Sequence, residues 1–360
     1  MTLKVLVIGA GGVGVLTAYS LFHRAKCEVS LVVRSDYEKA VQDGYEIDSC
    51  DYGQIHNWKP HHLYRSIEEA SASGQFFDYL VVTTKNIPDG PSPVRKFIEP
   101  VLKSCFENWD PKTGKSLNVF LVQNGIDIEL EIIDLLKADH LCSDGVHGPK
   151  VTLLSGVQMI GSTKIGNCQI LHKGQDYLIM GAFDPKDTLA ISKVAEFKDL
   201  YWNEGKNHFE LDENVKWSRW RKLVYNATIN PLTAIVGLDF TRTLLFGFDG
   251  STEFGILRPA MKEILAIAKS DGHIIPEEVM DYMIDCDRTM VYKPSMMVDV
   301  EKTQLMELEV ILGNPLKVAA QNKVPCPNLT LLYNIGKIIQ GRTKEKIGMI
   351  TFNEKTGNLE

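Results

Sequence analysis

Apolar and polar positions change rhythm along this chain of 360 residues. Leu3–Ile8 (LKVLVI) is a short apolar run rich in β-branched side chains, which predicts a buried strand. Val15, Ala18, Tyr19 and Phe22 then recur at helical spacing. Cys27–Val33 returns to strand character, and Phe77–Thr84 and Leu117–Val122 predict two more buried strands. Helical stretches at about 92–107 and 128–137 fill the gaps. This alternation predicts an α/β fold, a Rossmann-type doubly wound parallel sheet. From about 146 to 182 glycines punctuate short β-rich pieces, Gln169–His172 and Tyr177–Met180 among them. These predict extra strands on the same sheet, with antiparallel pairing an option, followed by a helix near 185–199.

Beyond about 208 strand signals nearly vanish. Long helical patterns cover about 212–236, 252–270, 276–286, 303–322 and 327–340, so the C-terminal domain is expected to be all-α. The polar stretch Asn203–Asn207 marks the boundary and gives domains 1–207 and 208–360.

Composition narrows the class. Hydrophobic residues make up 44% and charged ones 24%, ordinary globular usage, and the net charge is 39 − 46 = −7. An acidic chain lacks the basic footprint of a general nucleic-acid binder, and the short run Trp217–Lys222 (WSRWRK) does not supply one. No apolar run reaches the roughly 18 residues of a membrane span, so no membrane partner is expected. Neither a targeting peptide nor a lipidation signal is recognised at the ends. The seven cysteines are scattered without a C-x-x-C pair, which suggests free thiols in a reducing cytoplasm. His61-His62 lacks ligand spacing, and no metal site is expected.

Gly9-Ala10-Gly11-Gly12-Val13-Gly14 fits G-x-G-x-x-G directly after a strand and at the opening of a helix, the context this phosphate-binding turn requires. Gly9 permits the tight turn, Gly11 lets the backbone approach a pyrophosphate, and Gly14 lets helix and strand pack closely. Twenty residues beyond Gly14, where an NAD-preferring protein usually carries an acidic residue for the ribose, this chain has Arg34-Ser35. A guanidinium can hold a 2′-phosphate bidentately, which favours NADP(H). Asp36, close by, pulls the other way.

In Trp217–Ile235 (WSRWRKLVYNATINPLTAI), Lys222, Asn226 and Asn230 stand at i, i+4 and i+8, a polar row on one helical face. A solvated Lys/Asn face accounts for the row taken alone. Pro231 should kink or restart the helix.

Together with the glycine turn, this segment brings a resemblance into view. The chain resembles the ketopantoate reductase (2-dehydropantoate 2-reductase) family in five elements: GAGGVG at the opening; Lys85 in VVTTK; Asn124-Gly125 in LVQNG; WRKL…NATINPLTA at Trp220–Ala234; and S-M-x-x-D-V with a following E-x-E at Ser295–Glu309. The resemblance implies Lys222 as proton donor to the carbonyl oxygen, with Asn226 and Asn230 as substrate contacts. It implies that Asn124 touches cofactor and substrate, that Ser295 binds substrate, and that Glu307 stands near the substrate and the nicotinamide ribose. Arg34 and Lys85 would hold the adenosine-phosphate region of NADPH, and Ser162 would line the nicotinamide side. The chemistry suits these residue types, because hydride addition to a ketone builds negative charge on oxygen that an ammonium can stabilise and protonate. The active site is expected in the cleft between the domains.

Two departures from the family pattern bear on the substrate. Where several members have a polar asparagine, this chain has Phe240, and the common E-x-D pair is Glu307-Leu308-Glu309. The leading expectation is NADPH-dependent reduction of ketopantoate to pantoate. The alternative keeps the chemistry and takes bulkier or aromatic 2-oxo acids, esters or ketones, with Phe240 lining the site. A non-catalytic NADPH sensor is a third reading. A homodimer is compatible with all three.

Overall fold

The computed structural model describes residues 2–359. It forms two units. Unit 1 comprises Met1–Lys85, Val94–Gln123 and Ile128–Val215; unit 2 comprises Asn86–Pro93, Asn124–Asp127 and Lys216–Glu360.

Unit 1 runs β1 (Leu3–Ile8), α1 (Gly12–Arg24), β2 (Cys27–Val32), α2 (Tyr37–Gln42), β3 (Tyr45–Ser49), β4 (Gly53–Trp58), β5 (His62–Tyr64), α3 (Ile67–Ala72), β6 (Tyr79–Val82), α4 (Val94–Glu107), β7 (Leu117–Leu121), α5 (Leu130–Ala138), β8 (Val151–Gly166), β9 (Gln169–Ala182), α6 (Thr188–Tyr201) and β10 (His208–Leu211). The ten strands make one sheet in the order β4-β3-β9-β8-β7-β6-β1-β2-β5, with β10 also on β9. The stretch β8-β7-β6-β1-β2-β5 is parallel throughout. Every residue of β6 and β7 is buried, as parallel strands covered on both faces require. Phe120 of β7 meets Phe197 of α6 edge to face, with centroids 4.9 Å apart, and Phe197 stacks on Tyr201 at 5.7 Å.

The expected strands and their parallel core are present. The two pieces Gln169–His172 and Tyr177–Met180 are one continuous strand, β9, antiparallel to β8. Gly161 faces Gly174 where the strands cross, and a Cβ on Gly161 would lie 2.7 Å from the Gly174 nitrogen. Glycine there permits close backbone approach, so the glycines thin a strand instead of ending it. Just beyond 207 the chain departs from the all-α expectation. His208–Leu211, assigned to an all-α domain, is a strand lying parallel on β9, and unit 1 runs on to Val215.

Unit 2 contains α7 (Val215–Asn226), α8 (Ile229–Val236), α9 (Phe240–Leu245), α10 (Arg258–Ser270), α11 (Glu278–Asp285), α12 (Ser295–Glu301), α13 (Asn314–Asn322) and α14 (Pro327–Lys346), then a small hairpin, β11 (Phe352–Asn353) with β12 (Asn358–Leu359). The helix expected over 212–236 is two helices. It restarts at Ile229, which puts Pro231 in a first turn where its missing N–H leaves no bond unmade. The helix expected over 303–322 begins only with a π turn, Glu309–Gly313, because the chain leaves α12 through Thr303 at φ 54°. No helix among the described residues is long and apolar enough to cross a membrane.

Candidate active site

In unit 1 the glycine turn joins β1 to α1. Gly9 has φ +119°, and a Cβ there would lie 2.9 Å from the Thr83 hydroxyl. A Cβ on Gly14 would meet the Gly9 carbonyl oxygen at 1.9 Å, which enforces the close helix–strand contact. Around Gly11 the space is open, nothing lying within 4 Å of an added Cβ. The first turn of α1 has no side-chain cap and no acidic residue. Its N–H groups and the positive end of the helix dipole therefore favour an anion. Ala10 and Val13 complete the turn and pack partly buried against the core. Gly12 abuts Ser162, whose carbonyl oxygen and hydroxyl would sit 2.6 and 2.8 Å from an added Cβ. The Ser162 hydroxyl is buried without a partner, and such an orphan invites a ligand.

Arg34 follows β2, which the bond from Val33 N–H to the Tyr64 carbonyl (2.8 Å) prolongs by a residue. Lys85 follows β6. Both side chains are exposed. The glycine turn, Arg34 and Lys85 thus leave the carboxyl ends of three neighbouring strands, β6-β1-β2, where the winding reverses and α/β sheets bind their ligands. These residues fit a dinucleotide phosphate.

In unit 2 the polar row is assembled as the spacing predicts, despite the helix break. Asn230 Nδ2 donates to Asn226 Oδ1 at 3.1 Å, and both asparagines are buried. Asn230 Oδ1 has no partner. Lys222 Nζ donates to Asn124 Oδ1 at 3.0 Å, and Asn124 Nδ2 donates to Glu307 Oε2 at 2.9 Å. The other Glu307 oxygen accepts the Asn86 N–H at 2.9 Å. Ammonium, amide and buried carboxylate form one hydrogen-bonded chain. Burial pushes the Lys222 ammonium down to about 8; the Arg219 charge adds to this and Glu307 opposes it. The shift puts an acid near neutral pH, as proton transfer demands.

The Asn124–Asp127 loop is held in place by close contacts. Gly125, at φ +101°, lies so near Val310 that a Cβ would approach it to 2.6 Å. Ile126 N–H donates to the Val310 carbonyl at 3.3 Å, and Asn314 Nδ2 donates to the Ile126 carbonyl at 2.9 Å. Buried Arg219 donates to the Gly125 carbonyl at 3.0 Å, and Lys216 pairs with Asp127 at 2.9 Å. Sequence reasoning missed Arg219 and Asn86. Arg219 sits one helical turn before Lys222, a spacing that could have been read. The role of Asn86 lies in its backbone N–H, which carries no residue signature.

Three other residues separate from this chain of bonds. Ser295 is exposed at the first position of α12. Glu309, the second carboxylate of the E-x-E pair, accepts from the Tyr333 hydroxyl at 2.7 Å. Phe240 requires a correction. It has no exposed surface, packs on Tyr225 with centroids 6.3 Å apart, and its N–H is held by the Tyr292 carbonyl at 3.1 Å. It presents no face to a ligand and serves packing, because the start of α9 turns it into the core.

Among the described residues two groups of potential metal donors come together, Cys50–Asp51–His172 and Cys142–Asp144–His147. The second is fully exposed. In the first, His172 Nδ1 meets the Ser49 hydroxyl and Nε2 meets the Gly174 carbonyl, both at 2.9 Å. Ser49 Oγ already accepts two N–H bonds, so its proton goes to Nδ1 and Nε2 carries the hydrogen. That ring nitrogen is committed to a carbonyl and offers no lone pair to a metal.

Known proteins resemble the whole chain. Residues 5–185 match the family described as ketopantoate reductase PanE/ApbA, and residues 214–340 match its C-terminal part. An "uncharacterized protein" of Saccharomyces cerevisiae is 50% identical over 99% of both chains. The 2-dehydropantoate 2-reductase of Nostoc sp. is 27% identical over 95% of this chain and 96% of its own. The crystal structure of the 2-dehydropantoate 2-reductase from Methylococcus capsulatus covers 95% of this chain and 98% of its own at 30% identity, with a TM-score of 0.75.

Proposed function

The chain belongs to the ketopantoate reductase family, an oxidoreductase family acting on CH-OH/C=O groups of small keto acids with a nicotinamide cofactor, and from that premise we propose that it reduces 2-dehydropantoate to pantoate with NADPH. The observation that carries this reading is the Lys222–Asn124–Glu307 chain, with its ammonium brought down to about 8. Arg34 supports NADPH over NADH. Seven cysteines without a disulfide are compatible with a cytoplasmic location. Exposed Leu245, Phe246, Phe248 and Phe254 on unit 2 offer apolar surface for a homodimer.

In this reading the glycine turn holds the pyrophosphate, and Arg34 and Lys85 the adenosine phosphates. The nicotinamide, when bound, supplies the hydride. Lys222 stabilises the charge that grows on the ketone oxygen as the hydride adds to the carbonyl carbon, and then gives that oxygen its proton, which completes the alcohol. Asn124 aims the ammonium by accepting one of its hydrogens. Glu307, anchored by the Asn86 N–H, keeps the Asn124 amide oriented with its oxygen toward Lys222. The Asn230 side-chain oxygen Oδ1, lacking a partner, is suited to a substrate hydroxyl.

With Phe240 in the core, nothing in the site favours aryl ketones. The test is a substrate panel with purified protein and NADPH, covering 2-dehydropantoate and bulkier or aromatic 2-oxo acids, followed by loss of NADPH absorbance. The reading expects 2-dehydropantoate to have the highest kcat/KM. A panel led by an aryl 2-oxo acid would overturn it.

A further inference from the structure

Asp36 is a difficulty for a 2′-phosphate site. It stands two residues beyond Arg34, and a free carboxylate there would repel the phosphate. The structure turns it away. The carboxylate is 3% exposed and is held by three donors: Lys164 Nζ at 2.6 Å, the Ser35 hydroxyl at 3.0 Å and the Cys168 N–H at 2.9 Å. Burial alone would raise its pKa, but the bonds from Lys164, Cys168 and Ser35 hold it below the usual carboxylate range. Asp36 is therefore charged, and its partner is a cation.

Lys164 comes from the far end of β8, near the turn into β9, and is paired across the strands with Ile170. Its side chain keeps 31% of its surface, and its ammonium also reaches Ser35 Oγ at 3.3 Å. Lys164 therefore borders the stretch Arg34-Ser35 from outside the β2–α2 connection. With Lys164 the three side chains Arg34, Asp36 and Lys164 sum to +1; without it they sum to zero.

We propose that Lys164 is a cofactor-specificity residue, which cancels Asp36 and so leaves Arg34 and Ser35 as a net-cationic rim for the 2′-phosphate of NADPH. The inference rests on the NADPH reading and deepens it. NADH, lacking the phosphate, gains nothing from the pair. The Asp36 carboxylate also ties the loop after β2 to the β8–β9 turn through the Cys168 N–H, so loss of Lys164 leaves that tether in place.

The experiment compares dissociation constants for NADPH and NADH in the wild type, Lys164→Met, Lys164→Arg and the double variant Lys164→Met with Asp36→Asn. Lys164→Met is expected to weaken NADPH roughly tenfold, the order expected when one unit charge near a surface phosphate is uncovered, and to leave NADH within about twofold. Lys164→Arg should keep the wild-type preference. Adding Asp36→Asn should restore NADPH affinity, because no charge is left to cancel. Unchanged NADPH affinity in Lys164→Met would overturn the inference. A loss that Asp36→Asn fails to recover would overturn it too, since Lys164 would then act on the phosphate or on the fold. Equal affinity of the wild type for both cofactors would instead sink the NADPH reading itself.

Discussion

The pH dependence of turnover tests the electrostatics of Lys222. Burial and the Arg219 charge bring its ammonium from 10.5 to about 8, which disfavours the charged form by about 3 kcal/mol. In the proposed mechanism the protonated form is the acid in ketone reduction. It is full below about pH 7 and is lost as pH rises through 8, so log kcat/KM for reduction should fall with unit slope above about pH 8. In the oxidation direction Lys222 is the base, and the rate should rise through the same region. The two neighbouring charges act oppositely. Glu307→Gln removes a charge that raises the lysine and should move the descending limb down by roughly one pH unit; Arg219→Gln removes one that lowers it and should move the limb up by about as much. The assay is steady-state kinetics from pH 6 to about 10 at saturating NADPH, with binding of NADPH checked at each end. A limb that stays put in both variants, or that moves the same way in both, would refute this assignment.

Further expectations concern cofactor, orientation and packing. Arg34→Asp should cost NADPH roughly ten- to a hundredfold in affinity, the worth of a charge-assisted hydrogen bond, and titration against NADH would reveal whether the preference is erased. Asn124→Ala leaves Lys222 and Glu307 without the amide between them, and kcat should drop by about tenfold or more; equal loss in Asn124→Asp and Asn124→Ala would argue for a merely structural role. Phe240→Ala empties a fully buried site and should destabilise unit 2 by about 3–5 kcal/mol in denaturant unfolding, while the ranking of substrates stays as in the wild type.

The legible parts of this molecule are local. Gly9 to Gly14 could be read because the turn, the open approach at Gly11 and the tight contact at Gly14 all depend on residues a few positions apart. Leu3–Ile8 and Leu117–Val122 read as buried strands because each ends in an unbroken apolar run, Val5–Ile8 and Val119–Val122. Lys222, Asn226 and Asn230 showed their shared face through helical spacing, and Pro231 signalled the helix restart, which falls a few residues earlier, at Ala227–Thr228.

Long-range choices stayed hidden. His208–Leu211 alternates weakly, and only the free edge of β9 makes it a strand. Asn86–Pro93 and Asn124–Asp127 lie in the first half of the chain but pack with unit 2, held by contacts such as Asn86 to Glu307 and Gly125 to Val310. Asp36 looked like a rival to Arg34 because its partner, Lys164, is far along the chain. Phe240 looked like a ligand contact because its alignment position carries no information on which way the first turn of α9 faces.

The central claim is that Lys222 donates the proton. Lys222→Ala should lower turnover on 2-dehydropantoate by about 10²–10⁴-fold, the usual worth of a positioned acid, with NADPH still bound at close to wild-type affinity because the glycine turn and Arg34 are untouched. Turnover near the wild-type rate in that variant would contradict the account.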